Sequence, residues 1–321
     1  MILRVAEHCF WLHRYLERAE NTARLLQVNL ALVLDIELPP ALRWRPILAA
    51  EGEFGRFVAS AGDAATADGE AVQEFLTWDP ANPVAILNSV RWARENARSI
   101  RETISLEMWQ ALNSFWLWLA SVEGRRLYAR DRQSFYERVK HGCQLVHGLT
   151  HTTMLYSSPF DFMRLGALLE RADQTARILG AMWQRVASLQ DGFDTPSAQP
   201  LWLAALRSCS ASESFLKRGP GSLTPASVAE FLLLESAFPR AVRGCLERSA
   251  HFLERIAPGG APRSAALLAE LVARLDAYDV SDMIDAALLH ELARLMAGNA
   301  AVCDAVRDEF FPQAVPVGAA S

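Results

Sequence analysis

The sequence has few cysteines and none in a Cys-x-x-Cys spacing: Cys9, Cys143, Cys209, Cys245 and Cys303 are scattered and odd in number. That predicts reduced thiols in a cytoplasmic protein rather than a disulfide framework. Long apolar runs are also missing. The longest uncharged apolar run, about Ser114 to Val122, falls far short of the roughly 20 residues that span a bilayer. Arg4 and Glu7 interrupt the amino end before any apolar segment develops, so no secretory signal is expected there. Positive charge is not in excess: 32 basic residues face 37 acidic ones, a net charge of −5. Nothing in that balance favours nucleic acid or an anionic membrane as a partner.

Several catalytic signatures are absent. There is no Gly-x-x-x-x-Gly-Lys loop and no strand–Gly-rich turn–helix unit, so nucleotide-binding apparatus is not expected. No glutamate has a histidine three residues on, and His290-Glu291 does not open a His-Glu-x-x-His motif. A carboxylate-bridged metal pair is therefore not expected, and no metal ligand is assigned. His147 and His151 share a helix face, with His141 before them at a looser angle, and read as surface or lining histidines rather than a zinc pair. No Gly-x-Ser-x-Gly elbow exists and no cysteine sits in a nucleophile signature, which argues against covalent hydrolysis.

What is present is helical periodicity in a 321-residue chain that is 51% hydrophobic and 21% charged, a composition for one large domain or two small ones. Leu12, Leu16, Ala19, Ala23, Leu26, Leu30 and Val33 form one stripe at alternating spacings of three and four. Similar stripes run from Pro83 to Asn113, Ser134 to Met154, Phe162 to Leu189, Leu201 to Phe215, Pro225 to Phe238, Pro239 to Ile256, Ser264 to Tyr278 and Val280 to Phe310. Pro83, Pro225 and Pro239 read as first-turn prolines. No segment alternates with period two between Asn-Gly or Asp-Gly turns. The expected fold is all-α, a multi-helix bundle over residues 1–312, with a short loose tail at 313–321.

The chain also repeats itself. Leu16-Glu17-Arg18-Ala19-Glu20-Asn21-Thr22-Ala23-Arg24-Leu25-Leu26 matches Leu169-Glu170-Arg171-Ala172-Asp173-Gln174-Thr175-Ala176-Arg177-Ile178-Leu179 at an offset of 153. Glu74-Phe75-Leu76 and Pro83 match Glu230-Phe231-Leu232 and Pro239 at an offset of 156. Two matches in one order suggest an internal duplication, with halves at about 1–153 and 154–312 packed as one unit. At about 100° per residue, Glu17, Glu20 and Arg24 fall on one strip beside the apolar stripe. Phe10, Trp11 and Leu25 make the opposite face apolar as well. A helix apolar all round is buried, and buried charges are paired or used. Two readings follow: ion-pair ladders that fix helix register, or a preorganised polar site of carboxylates and guanidinium groups.

Tyr15-Leu16-Glu17-Arg18 and Leu168-Leu169-Glu170-Arg171, with the residues that follow them, resemble the paired Glu-Arg motifs of the bacterial alpha-E family. So do Ala93-Arg94-Glu95-Asn96-Ala97-Arg98, Glu107-Met108-Trp109-Gln110-Ala111-Leu112-Asn113 and Phe135-Tyr136-Glu137-Arg138-Val139-Lys140. The resemblance spans essentially the whole chain; His13 departs from it, standing where the family often has glycine. It implies an all-helical partner of a circularly permuted ATP-grasp protein in ATP-dependent amide or peptide-bond formation, with an amino acid or peptide as substrate. In that setting the chain binds no cofactor itself, and the partner holds ATP and Mg. The catalytic candidates are then Glu17, Arg18, Glu170 and Arg171. The arginines would neutralise a carboxylate or acyl phosphate, and the glutamates would orient them or accept a proton from the attacking amine. Arg14, Glu20, Arg24, Arg94, Glu95, Arg98, Arg164, Asp173 and Arg177 are the binding candidates. Arg94 and Arg98, with Arg101, also read as a solvated basic strip near a tryptophan-rich segment. The alternative is a non-catalytic interaction module in which the same Glu-Arg motifs are internal ion-pair ladders.

Overall fold

Residues 3–311 of the computed structural model, apart from 190–192, 194, 196, 220, 261 and 279–285, are described here. The proposed start of the last stripe at Val280 and the tail at 313–321 lie outside them. In chain order the helices are α1 (Leu3–Asp35), α2 (Pro40–Arg43), α3 (Arg45–Ala50), α4 (Phe54–Ala61), α5 (Gly69–Trp78), α6 (Ile86–Ser99), α7 (Leu106–Leu119) and α8 (Val122–Arg130). They continue as α9 (Arg132–Thr153), α10 (Ser158–Ala187), α11 (Gln199–Ser208), α12 (Ser212–Arg218), α13 (Pro225–Leu234), α14 (Val242–Ile256), α15 (Arg263–Asp276) and α16 (Ala286–Phe310). The described residues contain no strand, and none of their helices is long and apolar enough to cross a membrane. The all-helical expectation holds.

The axis of the bundle is α1 beside α10. Leu12, Leu16, Ala19, Ala23 and Leu26 are fully buried, and so are Phe10 and Leu25 on the other face. Each such leucine or phenylalanine contributes about 1.5–3 kcal/mol by leaving water. Contacts pair a residue of α1 with one about 156 further along: Arg14 with Glu170 and Asn29 with Arg185. The two helices therefore run parallel. They approach closely at Gly166, where a Cβ would stand 2.2 Å from the Phe10 carbonyl oxygen.

Each axial helix carries its own escort. Helices α6 and α9 pack on α1, and α7 packs on both of them; α14 and α16 pack on α10, and α15 on both of those. Starting points recur: Gly69 and Ile86 open α5 and α6, and Pro225 and Val242, each 156 residues later, open α13 and α14. The offset noted in the sequence thus reappears in helix order.

Starts and stops follow local chemistry. Ser105, Ser121 and Asp131 cap α7, α8 and α9 by accepting a backbone N–H, and Thr224 with Ser227 forms a capping box on α13. Pro225 is a first-turn proline as expected, but Pro83 and Pro239 are not. Both lie in turns that precede α6 and α14, and Asn82 holds the first turn by accepting from Val84 N (3.1 Å). The stripe from Pro83 to Asn113 divides into α6 and α7 at a turn where the Ile100 carbonyl accepts from Thr103 N (2.8 Å). The stripe from Leu201 to Phe215 divides likewise at Ser210, whose φ is 53°. Of the tryptophans in the aromatic segment, Trp118 is buried against Phe135 and Trp92 is 44% exposed.

Candidate functional site

The charged repeat lies where α1 and α10 face each other, and its pairing is reciprocal. Arg18 grips Glu170 with two bonds, Nε to Oε1 at 2.6 Å and Nη2 to Oε2 at 3.0 Å. Arg171 grips Glu17 the same way, Nε to Oε1 at 3.0 Å and Nη2 to Oε2 at 2.6 Å. Each glutamate is thus held by the arginine that follows its counterpart in the repeat. Both carboxylates are sealed from solvent, Glu17 at 0% and Glu170 at 1% exposure. Forked guanidinium–carboxylate contacts of this kind are short and charge-assisted.

Around Glu17 the charges do not balance. Arg240, at the entrance to α14, donates to Glu17 Oε1 (2.7 Å), Asn21 Oδ1 (2.8 Å) and Glu20 Oε1 (3.0 Å). Arg24 pairs with Glu20 and also donates to Asn21 Oδ1 (3.0 Å). Burial alone would raise the Glu17 carboxyl, but Arg171 and Arg240 outweigh it and hold the group well below the usual carboxylate range. Arg164, two turns before Arg171 on the same face of α10, makes no hydrogen bond or ion pair among the described residues, and its Nε is buried without an acceptor. Burial, then the nearby guanidinium groups of Arg171 and Arg248, push Arg164 down to about 10, with Glu17 only partly opposing. Three guanidinium groups, on Arg24, Arg171 and Arg240, therefore pair with two carboxylates, on Glu17 and Glu20, and the unpaired Arg164 adds a fourth positive charge nearby.

Histidines complete this side. His13 is fully buried on α1, its ring 3.1 Å from His147 Nδ1 and 3.1 Å from the Thr150 hydroxyl on α9. Burial, with His147 and Arg164 adding to it, lowers His13 well below the ordinary histidine value. His147 is pushed down to about 4 by burial despite Glu17 and Glu20. Its Nε2 lies 3.7 Å from Glu17 Oε2. With the imidazole neutral at pH 7, that approach is not an ion pair.

The Glu170 side is closer to neutral. Arg14 joins Arg18 there, Nε to Oε2 at 2.6 Å, and its Nη1 reaches Cys303 Sγ on α16 at 2.8 Å. Burial would raise Glu170, but Arg18 and Arg14 hold it at about 2. Arg177 pairs with Asp173 (2.6 Å), whose carboxyl burial raises. Glu51, after α3, accepts from the Thr22 hydroxyl (3.1 Å) while its Oε1 has no partner; burial pushes it up to about 7. Three guanidinium groups thus meet three acids, one of them half protonated near neutrality.

Arg14, Arg18, Glu20, Arg24, Arg164, Asp173 and Arg177 consequently share one interior with the two glutamates. Arg94, Glu95 and Arg98 do not. Arg94 pairs with Glu95 (2.8 Å) and Asn113 (2.8 Å), Arg98 pairs with Glu95 (2.7 Å), and Arg94 and Arg101 cover Trp109. They form a surface patch on α6 and α7, the solvated strip of the sequence reading. His141 likewise stays outside, bound to Glu137 (2.9 Å).

One trio approaches metal-ligand spacing: donor atoms of Glu17, Glu20 and His147 lie within 4.8 Å of one another. The donor set does not fit a cation. Both Glu17 oxygens and Glu20 Oε1 already accept from arginines, which a metal ion would have to displace beside surplus positive charge.

Arg240, His13 and Glu51 were not singled out as site residues by the sequence. A signal existed for two of them. Arg240 follows the proline of the second repeat match, and His13 stands one repeat length before Gly166, at the position where the resemblance called for glycine.

A wholly helical chain built on reciprocal Glu-Arg pairs is thus the class these features define. The Alpha-E family, described as a predicted alpha-helical domain with a conserved ER motif, matches residues 1–311, and the chain belongs to it. Uncharacterized proteins of Mycobacterium bovis and of one Mycobacterium tuberculosis strain are each 28% identical over 328 residues, covering 92% of this chain and 35% of theirs. A protein of a second M. tuberculosis strain, also uncharacterized, is 27% identical with the same coverage. The chain therefore spans about a third of the length of these relatives. No solved structure matches.

Proposed function

We propose that this Alpha-E chain is the helical partner of a circularly permuted ATP-grasp ligase in ATP-dependent amide or peptide-bond formation, and that it receives the acid substrate. The observation that carries this reading is the surplus positive charge beside Glu17, with Arg164 unpaired at its edge. A half-buried guanidinium whose Nε is sealed without an acceptor is costly, and a carboxylate or acyl phosphate supplies the counter-ion. Arg164 touches that group, with Arg171 and Arg240 adding charge from behind. Glu17 and Glu170 act as positioning residues: their oxygens are spent on arginines, and Glu170, held at about 2, is a poor base for an amine. The relatives carry the matched region within a much longer chain, which suits a domain that works beside other domains.

The second reading, a non-catalytic module held by internal ion-pair ladders, is favoured by the full burial and reciprocity of the two glutamates. ATP turnover separates the two. The isolated chain should release no phosphate from ATP, and the purified pair should do so only with an acid and an amine present. A robust ATPase in the isolated chain, or pair turnover unchanged when this chain is omitted, would overturn the proposed partnership.

A further inference from the structure

Arg185 carries a charge that neither Glu-Arg centre uses. It lies near the end of α10, 15 residues or about 22 Å along the helix from Glu170. Its side chain is among the most deeply buried, at 1% exposure, yet no carboxylate pairs with it among the described residues. Nη1 donates to Asn29 Oδ1 (2.9 Å) and Nη2 to the Arg43 carbonyl (3.1 Å), while Nε has no acceptor. Burial, unopposed by any neighbouring charge, pushes the group down to about 10. A charge desolvated to this degree and held only by neutral acceptors is costly unless an anion completes it.

Arg185 also lines an open cavity of about 290 Å³ between α2, α3, the start of α4 and the end of α10. Leu42, Pro46 and Phe54 give it an apolar side, and Arg45, Gln184 and Ser188 a polar one. Arg45 lies over the Phe54 ring at 4.4 Å. Its contact with Asp63, 3.7 Å between two exposed side chains, is weak and screened, so Arg45 remains available. The volume is at the small end of ligand pockets and equals about ten waters. Apolar walls with a few converging cationic groups suit a small organic anion better than a bare ion.

We propose that this cavity binds a small organic oxyanion, a carboxylate or phosphate monoester on an apolar body, with Arg45 meeting the anion, the buried Arg185 adding positive charge from behind the cavity wall, and Leu42, Pro46 and Phe54 meeting the body. This site is independent of the ligase reading and stands or falls separately from it.

Calorimetric titration of the full chain at low ionic strength tests it, with benzoate and phenyl phosphate as probes and benzamide and inorganic phosphate as comparators. Benzoate or phenyl phosphate should bind with a submillimolar Kd, and which of them is tighter distinguishes carboxylate from phosphate. Benzamide and inorganic phosphate should each be at least tenfold weaker. Arg45→Gln should weaken the anion at least tenfold without moving the melting temperature, because Arg45 is half exposed. Ala49→Phe, which fills the cavity, should abolish binding. Arg185→Met should also abolish it; if that variant does not fold, the Arg45 and Ala49 variants still decide. Benzamide binding as tightly as benzoate, binding undisturbed by both Arg45→Gln and Ala49→Phe, or no binding by either organic anion would overturn the proposal.

Discussion

Removing Arg171 leaves the Glu17 carboxylate with Arg240 and the Asn21 amide, and removing Arg18 leaves Glu170 with Arg14, in both cases with the carboxylate sealed from solvent. Breaking a buried pair costs about 3–5 kcal/mol when the remaining charge is uncompensated, and the arginine each glutamate keeps brings the cost to the low end, about 3 kcal/mol. Arg18→Ala and Arg171→Ala should each lose that much in urea unfolding. Lysine should rescue little, since it cannot form the fork. An effect no larger than that of Arg98→Ala, on the surface patch, would show that the pairs do not hold the fold. Glu51 sets a pH dependence. Its folded value, about 7, lies above the ordinary glutamate value of 4.5, so the folded state binds the extra proton between the two. Its stabilising contribution is complete below pH 4.5 and is lost as pH rises through 7. Glu51→Gln should therefore gain stability relative to wild type between pH 5 and 8, roughly 1 kcal/mol or more. Melting curves of the two proteins running parallel over that range would contradict this. Glu170 has the opposite sign: held at about 2, it contributes stability above pH 4.5 that disappears as pH falls toward 2.

At the scale of helices, the closest constraint is Gly166. A methyl group there meets the Phe10 carbonyl at 2.2 Å, backbone against backbone, so α1 and α10 would have to separate. Gly166→Ala should destabilise by about 1–3 kcal/mol or more, as overpacking does. Gly148, on α9, has nothing within 4 Å of its added Cβ, and Gly148→Ala should stabilise by about 0.5–1 kcal/mol. Thermal unfolding of the pair reads both, and equal effects would contradict the close approach. The helices themselves were legible because their apolar spacing is regular: Leu12 to Leu26 predicted a buried face and has one. Boundaries were less legible. The turn at Ile100 and the left-handed Ser210 carry no proline or glycine, and periodicity runs across them unbroken. Pro83 and Pro239 misled because proline favours the first turn of a helix and the turn before it equally well.

For the whole molecule, the repeat made one part of the site readable and hid another. Glu17, Arg18, Glu170 and Arg171 recur in register, so the pattern marked all four as candidates, either for ion-pair ladders or for a polar site. Arg240 and His147 reach Glu17 from 223 and 130 residues away, and no local spacing reports a contact of that range. Nor does a repeat reveal asymmetry. Positive charge exceeds negative beside Glu17 and nearly balances it beside Glu170, because Arg240 and Arg164 lie near Glu17 and Glu51 lies on the Glu170 side. That asymmetry is what the proposed ligase role depends on. The most direct measurement is phosphate release by the purified pair of this chain and the proposed ATP-grasp partner, with acid and amine present, for wild type and Arg164→Gln. Arg164 makes no hydrogen bond or ion pair among the described residues, so the substitution should not lower the melting temperature and should leave the association of the pair unchanged while raising KM for the acid at least tenfold. Turnover and KM equal to wild type would contradict an anion-receiving centre and leave the Glu-Arg pairs as scaffold alone.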